Sequence, residues 1–240
     1  MSEATLCCRA MERHDDVWLV IPLYNEGSVI ADVVTDARGT FANVVCVDDG
    51  SHDDSALQAE RAGAVVVRHP VNLGQGAALQ TGFDYAKTDP RMRYVVTYDA
   101  DGQHQISDVV AMVRRAREND LQVVFGSRFL DDGRVSATGL KKIVLKMAVA
   151  FTNATTHTRL TDAHNGLRVL RRDVLEQLEI TQNRMAHATE IVNEIGAMRI
   201  NNERVTYAEM PVHILYTDYS KSKGQSLWNA VNILVELIWR

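Results

Sequence analysis

Long apolar runs are missing from this sequence. No stretch approaches the ~18–20 apolar residues that a membrane-spanning helix needs, so no span is expected. Residues 1–16 are polar and lack the apolar centre of a secretory signal. They are expected to form a disordered leader, with Met11 as an alternative start. A basic excess is also missing: 26 Lys and Arg stand against 31 Asp and Glu, a net charge of −5, which gives no general reason to expect nucleic acid as a partner. Only three cysteines occur, Cys7, Cys8 and Cys46, without a metal-ligand spacing. Cys46 lies in an apolar run and reads as a buried thiol in a reducing, cytosolic compartment. Internal repeats and low-complexity tracts are absent. At 240 residues and 46% hydrophobic, the chain can bury one sizeable core.

What is present is an alternation of two periods. Short apolar runs at Val17–Leu23, Val44–Val47, Ala64–Arg68, Tyr94–Tyr98 and Gln122–Phe125 predict buried parallel strands. Helical spacing fills the segments between them, at Ser28–Ala37, Asp54–Ala62, Gly76–Lys87 and Ile106–Glu118. Such alternation predicts an α/β fold, an open and mostly parallel sheet flanked by helices, with ligands at the carboxyl ends of its strands. After residue 127 the rhythm breaks. Residues 133–161 carry Arg134, Lys141, Lys142, Lys146 and Arg159 without one acid. Leu140–Phe151 has helical spacing and is apolar nearly all round yet basic. It suits anionic headgroups or a lipid phosphate, and equally a core helix with solvated lysines. Ser226–Arg240 is a second amphipathic stretch, with Leu227, Val231, Leu234, Val235 and Ile238 on one face and Trp228 and Trp239 at its borders. It fits a membrane interface, and also a helix closing the core or a homodimer contact.

Chemistry gathers where the strands end. Asp99 and Asp101, one residue apart after the fourth strand, can converge on one hard cation, with Gln103 close enough to add an oxygen. A divalent ion held by so few protein oxygens keeps positions open for phosphate. An isolated Asp-x-Asp is more often a polar turn, so its surroundings decide. Strand one runs into Pro22, Tyr24 and Glu26, where Tyr24 can stack on a base. Strand two ends in Asp48-Asp49-Gly50-Ser51, able to accept hydrogen bonds from a base or ribose. Strand five ends in Gly126-Ser127-Arg128, a cation where a phosphate would lie. The turn Asn72-Leu73-Gly74-Gln75-Gly76 opens a helix and permits close backbone approach.

In this order the motifs resemble the family-2 glycosyltransferases of the GT-A fold, and most closely the polyprenyl-phosphate sugar synthases such as dolichol-phosphate mannosyltransferase. The likeness continues through Thr161-Asp162-Ala163-His164-Asn165-Gly166-Leu167-Arg168 and Tyr219–Ser226, so it covers about residues 17–226, taken as the catalytic domain, with 227–240 a C-terminal amphipathic helix. The resemblance implies a nucleotide pocket from Pro22, Tyr24, Glu26 and Asp48 with Ala100 beside it. It implies Mg²⁺ or Mn²⁺ on Asp99, Asp101 and Gln103, phosphate charge met by Arg128 and Lys223, and Asp162 and Arg168 at the acceptor end. One departure is that the synthases place an arginine where this chain has Thr217. Lys221 or a lysine of the 141–146 helix would have to supply that charge.

The expected activity is inverting, metal-dependent transfer of a hexose from a GDP- or UDP-sugar to a polyprenyl phosphate, by a peripheral protein at the cytoplasmic membrane face. Asp101, Arg128 and Asp162 carry it in this reading. Transfer to a sugar hydroxyl of a glycan or lipid-linked saccharide is the alternative. It would need a base, and Asp162 is either that base or an orienting group for Arg168 or a substrate hydroxyl. A non-catalytic nucleotide-sugar-binding subunit of a membrane complex is a third reading, disfavoured by the intact Asp99/Asp101/Gln103 set. His164 reads as a satisfied loop histidine, and His187 with Glu190 as helix surface.

Overall fold

The computed structural model describes residues 14–130 and 158–215. Residues 1–13 of the leader, the basic 140–151 segment, Lys221, Lys223 and the Ser226–Arg240 stretch lie outside the described residues, whereas the last three leader residues are held in place, His14 buried against Phe41 and Asp16 paired with Arg117. The first half alternates as its two periods predict: β1 (Val17–Leu23), α1 (Ile30–Thr40), β2 (Asn43–Asp48), α2 (Ser55–Arg61), β3 (Val65–Arg68), α3 (Gln75–Lys87), β4 (Tyr94–Thr97), α4 (Ile106–Glu118) and β5 (Val123–Ser127). The second half adds β6 (Arg168–Arg171), α5 (Arg172–Leu175), α6 (His187–Ala197), a small hairpin of β7 (Arg199–Ile200) and β8 (Glu203–Arg204), and β9 (Tyr207–Pro211).

One seven-stranded sheet runs β3-β2-β1-β4-β6-β5-β9. β1 pairs in parallel with β2 and β4, β2 with β3, and β5 with β9. β6 is antiparallel to both of its neighbours, β4 and β5. The apolar runs are continuous because both faces of the sheet are covered. Along β1, Leu19 and Ile21 pack with α1 and α4 residues such as Val34, Val109 and Met112, while Trp18 and Val20 pack with Ala78, Leu79 and Phe83 of α3. β6 splits in the same way. Val169 joins the first layer and Leu170 the second, each fully buried, as the period-two alternation of a strand requires.

The insertion of β6 sets up the site. Because it runs antiparallel, its first residue, Arg168, stands opposite Thr97 at the end of β4 and Phe125 near the end of β5. The start of β6 therefore lies at the same edge as the carboxyl ends of the parallel strands. Three bonds brace that edge. The Thr97 hydroxyl donates to the Gly166 carbonyl and accepts from the Arg168 N–H, and the Gly126 N–H donates to the Leu167 carbonyl.

Candidate active site

The β1 and β2 ends are tied together through their loops. Asn25, in the left-handed region with φ 54°, donates its N–H to Ser51 Oγ at 3.0 Å and accepts the His52 N–H on its side-chain oxygen at 2.9 Å. Asparagine tolerates that backbone well. The Glu26 N–H donates to Ser55 Oγ at 2.8 Å. Pro22, Tyr24 and Glu26 are thereby held beside Asp48, which is buried and caps its own turn by accepting the Ser51 N–H at 3.1 Å. Tyr24 is 41% exposed, its ring set edgewise to His52 with 6.5 Å between centroids, so it is available to a planar ligand.

Beyond β4 the two acids differ. Asp99 Oδ2 accepts from His104 Nε2 at 3.0 Å, and its Oδ1 meets the Gln75 amide at 3.4 Å. A Cβ on residue 166 would stand 2.5 Å from Asp99 Oδ2, so only glycine lets the chain pass under this carboxylate. Burial opposes ionisation of Asp99, but the His104 hydrogen bond and the charge of Arg168 outweigh it and hold the carboxyl below its ordinary range. Asp101 goes the other way, pushed up by burial and by the negative charge of Asp99, with the Gln103 N–H at 3.0 Å as a partial offset. Ala100, between them, is buried.

Asp101, disfavoured as an anion by burial and by Asp99, is the member of the pair whose charge a cation would relieve. That fits a divalent cation. Among the described residues no three His, Cys, Asp or Glu side chains converge on one point. Asp99, Asp101 and the Gln103 amide would therefore be a sparse ligand set, as a site shared with a diphosphate needs. The Leu215 N–H holds the Gln103 carbonyl at 2.9 Å and fixes the loop from the far side.

The second cluster departs from expectation. Arg128 and Asp162 form a bidentate pair, Nε to Oδ2 at 2.6 Å and Nη2 to Oδ1 at 2.8 Å, and the Arg128 N–H adds a third bond at 3.1 Å. Asp162 is buried, while the Arg128 side chain is 35% exposed. The carboxylate thus orients Arg128, and not Arg168. With both oxygens on a guanidinium, it acts as a base only if Arg128 withdraws. Arg168 is also placed differently from the acceptor-end role. Its side chain is among the largest fully buried ones, with Nη2 at 3.5 Å from the Ala163 carbonyl. It is a buried cation between Asp99 and Asp162, its pKa lowered by burial and supported by both acids. A group so covered acts on the site through its charge and not by contact.

Two histidines flank that cation. His187 opens α6 and is buried, where the sequence suggested helix surface, and Nδ1 bonds to the Arg184 carbonyl at 2.7 Å. His164 Nε2 lies 3.4 Å from Thr189 Oγ1. Burial, and then the charge of Arg168, hold His164 below its ordinary pKa, and both act on His187 in the same direction. Glu209 of β9 was not singled out from the sequence. It accepts the Thr161 and Asp162 N–H groups at 2.8 and 3.2 Å and so fixes the Asp162 backbone. Nothing local marks it, since its partners lie 47–48 residues away.

The glycosyl transferase family 2 model matches residues 18–179, from β1 past β6 and through both clusters. This chain belongs to glycosyltransferase family 2. The enzyme is 27% identical over 241 residues to the UDP-N-acetylglucosamine–dolichyl-phosphate N-acetylglucosaminyltransferase of Methanococcus voltae, covering 92% of this chain and 94% of that one. It is 28% identical over 228 residues to an uncharacterized protein of Methanocaldococcus jannaschii, covering 93% and 91%. Among solved structures it resembles glucosyl-3-phosphoglycerate synthase from Mycobacterium tuberculosis in complex with Mn²⁺, UDP-glucose and phosphoglyceric acid. That likeness has a TM-score of 0.66 at 19% identity, over 93% of this chain and 79% of that one. The fold of the glycosyltransferase is GT-A.

Proposed function

We propose that this glycosyltransferase transfers a hexose, with inversion, from a GDP- or UDP-sugar to a polyprenyl phosphate at the cytoplasmic face of a membrane. The observation that carries the choice of acceptor is the Arg128–Asp162 pair. A hydroxyl acceptor needs a base, and among the described residues three acidic side chains of this flank are occupied: Asp162 by Arg128, Glu209 by the 161–162 backbone, and Glu190 by Thr181 and Gln182. A phosphate acceptor is already an anion at neutral pH and attacks without one. The dolichyl-phosphate acceptor in the name of the Methanococcus voltae relative supports the same class.

In this reading Pro22, Tyr24, Glu26 and Asp48 receive the nucleotide, with Ala100 against it. Asp99, Asp101 and Gln103 would hold Mg²⁺ or Mn²⁺, which when bound neutralises charge on the departing diphosphate. Asp162 holds the guanidinium of Arg128 at the mouth, where its fixed cation stabilises phosphate charge without reorganisation. His104, and after it the charge of Arg168, keep Asp99 ionised. Lys223 and the Ser226–Arg240 stretch, outside the described residues, are proposed to meet phosphate and the membrane or a membrane protein, respectively.

Transfer to a sugar hydroxyl has one observation in its favour: His164, half-buried two residues from Asp162, is an imidazole on this flank that can serve as a base, although burial and Arg168 weaken its basicity. An assay separates the two. Purified protein with labelled UDP- and GDP-sugars and Mn²⁺ should glycosylate a short polyprenyl phosphate. Transfer only to a saccharide acceptor, lost in His164→Ala, would replace the first reading with the second.

A further inference from the structure

We propose that Asp49, His69 and Thr81 form a positioning clasp for the glycosyl-transfer site, holding the 72–76 turn so that the Gln75 amide is presented to Asp99. Its functional half rests on the reading of Asp99 as part of the donor site. Asp49 follows β2 and is buried, and both of its oxygens are committed. Oδ1 accepts the Leu73 N–H at 2.9 Å and His69 Nδ1 at 2.8 Å, and Oδ2 accepts the Gly74 N–H at 2.7 Å. A carboxylate only accepts, so His69 Nδ1 carries the proton it gives to Asp49. Nε2 lies 2.9 Å from the hydroxyl of Thr81, on α3, which can give or take the second bond. The chain of hydrogen bonds runs Thr81–His69–Asp49, and the acid spends its remaining capacity on two turn amides.

The turn is gripped from its other side as well. Gly74 has φ +106°, and a Cβ there would lie 2.1 Å from the Asn183 carbonyl, so the turn abuts the segment before α6 directly. The Gly76 N–H donates to that same carbonyl at 2.8 Å. Between these two anchors stands Gln75, whose side-chain nitrogen lies 3.4 Å from Asp99 Oδ1, the carboxylate oxygen that His104 does not take. Gln75 opens α3, and Thr81 is on the same helix, so the clasp ties the helix start and the turn to the end of β2 as one unit. The sequence offers Asp49 to a base or ribose, but both its oxygens are spent on His69 and the turn, so none of the three needs to touch substrate. Their effect passes through Gln75.

Three variants test this: His69→Ala, His69→Gln and Thr81→Val. Glutamine can donate an amide N–H to Asp49 and accept the Thr81 hydroxyl on its carbonyl. Hydrogen exchange reads the turn itself, and titration with Mn²⁺ and UDP or GDP reads the site. In His69→Ala the Leu73 and Gly74 amides should exchange about tenfold faster, and metal–nucleotide binding should weaken by about tenfold, the scale of one hydrogen bond to a charged group. His69→Gln should restore both, and Thr81→Val should fall between. Unchanged exchange in His69→Ala, or a His69→Gln as impaired as His69→Ala, overturns the clasp. Faster exchange with wild-type metal–nucleotide affinity overturns its link to the site. If the wild-type protein binds no metal–nucleotide, the donor-site reading fails instead, while exchange still decides whether the clasp holds the turn.

Discussion

Asp101 is a residue whose charge the fold tolerates at a cost. Its carboxyl is raised in the folded state by burial and by Asp99. The sign follows from linkage: the stabilising contribution of such a group is present below the ordinary carboxylate pKa and is lost as pH rises through the raised value. Asp101→Asn should therefore increase the melting temperature of metal-free protein at pH 7 while transfer collapses, measurable by thermal denaturation beside an activity assay. A lower melting temperature would contradict the repulsion. Asp162 makes a second prediction at this scale. Asp162→Ala should lower kcat/KM by about 10–100-fold, since a freed Arg128 loses its fixed position, yet leave the acidic limb of the pH profile in place. Loss of that limb would mean that Asp162 is the base. The Asp99/Asp101 spacing was legible because it is local. The Arg128–Asp162 pair was not, because its partners are 34 residues apart and no pattern says which arginine an isolated acid will take.

At the scale of elements, the five parallel strands and the four helices between them were legible for one physical reason. β1, β2, β4 and β5 are covered on both faces and β3 is a half-exposed edge strand, yet all five read as continuous apolar runs, and each helix carries its own spacing. β6 escaped because it is four residues long and begins and ends in arginine, one buried and one partly so. β9 escaped because it is a half-exposed edge strand with Glu209 in its middle and Pro211 at its end. The importance of β6 is testable. Leu170→Ala should cost about 2–5 kcal/mol of stability, the range for truncating a buried leucine, read by chemical denaturation. The packing of α6 and the 162–168 segment around Arg168 makes a pH prediction. His164 and His187 are both lowered from 6.5, so their share of stability is present above that pH and is lost as pH falls below it toward the lowered folded values. Unfolding free energy should therefore drop between pH 7 and 5.5, and His187→Gln should flatten the drop. An unaltered slope in that variant would show that His187 is not one of the groups responsible.

For the whole molecule, the order β4-β6-β5 decides what the site is made of. An antiparallel strand between two parallel ones brings its first residue to the edge where the other strands end, and so sets Arg168 beneath two acids that follow different strands. The proposed donor half, around β1, β2 and β4, is carried by short local motifs. The proposed acceptor half depends on contacts across the sheet, among Arg128, Asp162, Glu209 and His164. That division explains why the sequence points firmly to a sugar nucleotide and less firmly to what receives the sugar. Among the described residues no helix is long and apolar enough to cross a membrane. Contact with a lipid acceptor would then fall to surfaces and to the segments outside those residues. The central claim is metal-dependent transfer to a lipid phosphate. Its most direct test measures sugar transfer from UDP- and GDP-sugars to a polyprenyl phosphate, with Mn²⁺ and with chelator, for the wild-type protein and Asp101→Ala. Lipid-linked product that requires both the metal and Asp101 is the predicted result, and full transfer by Asp101→Ala in chelator would contradict it.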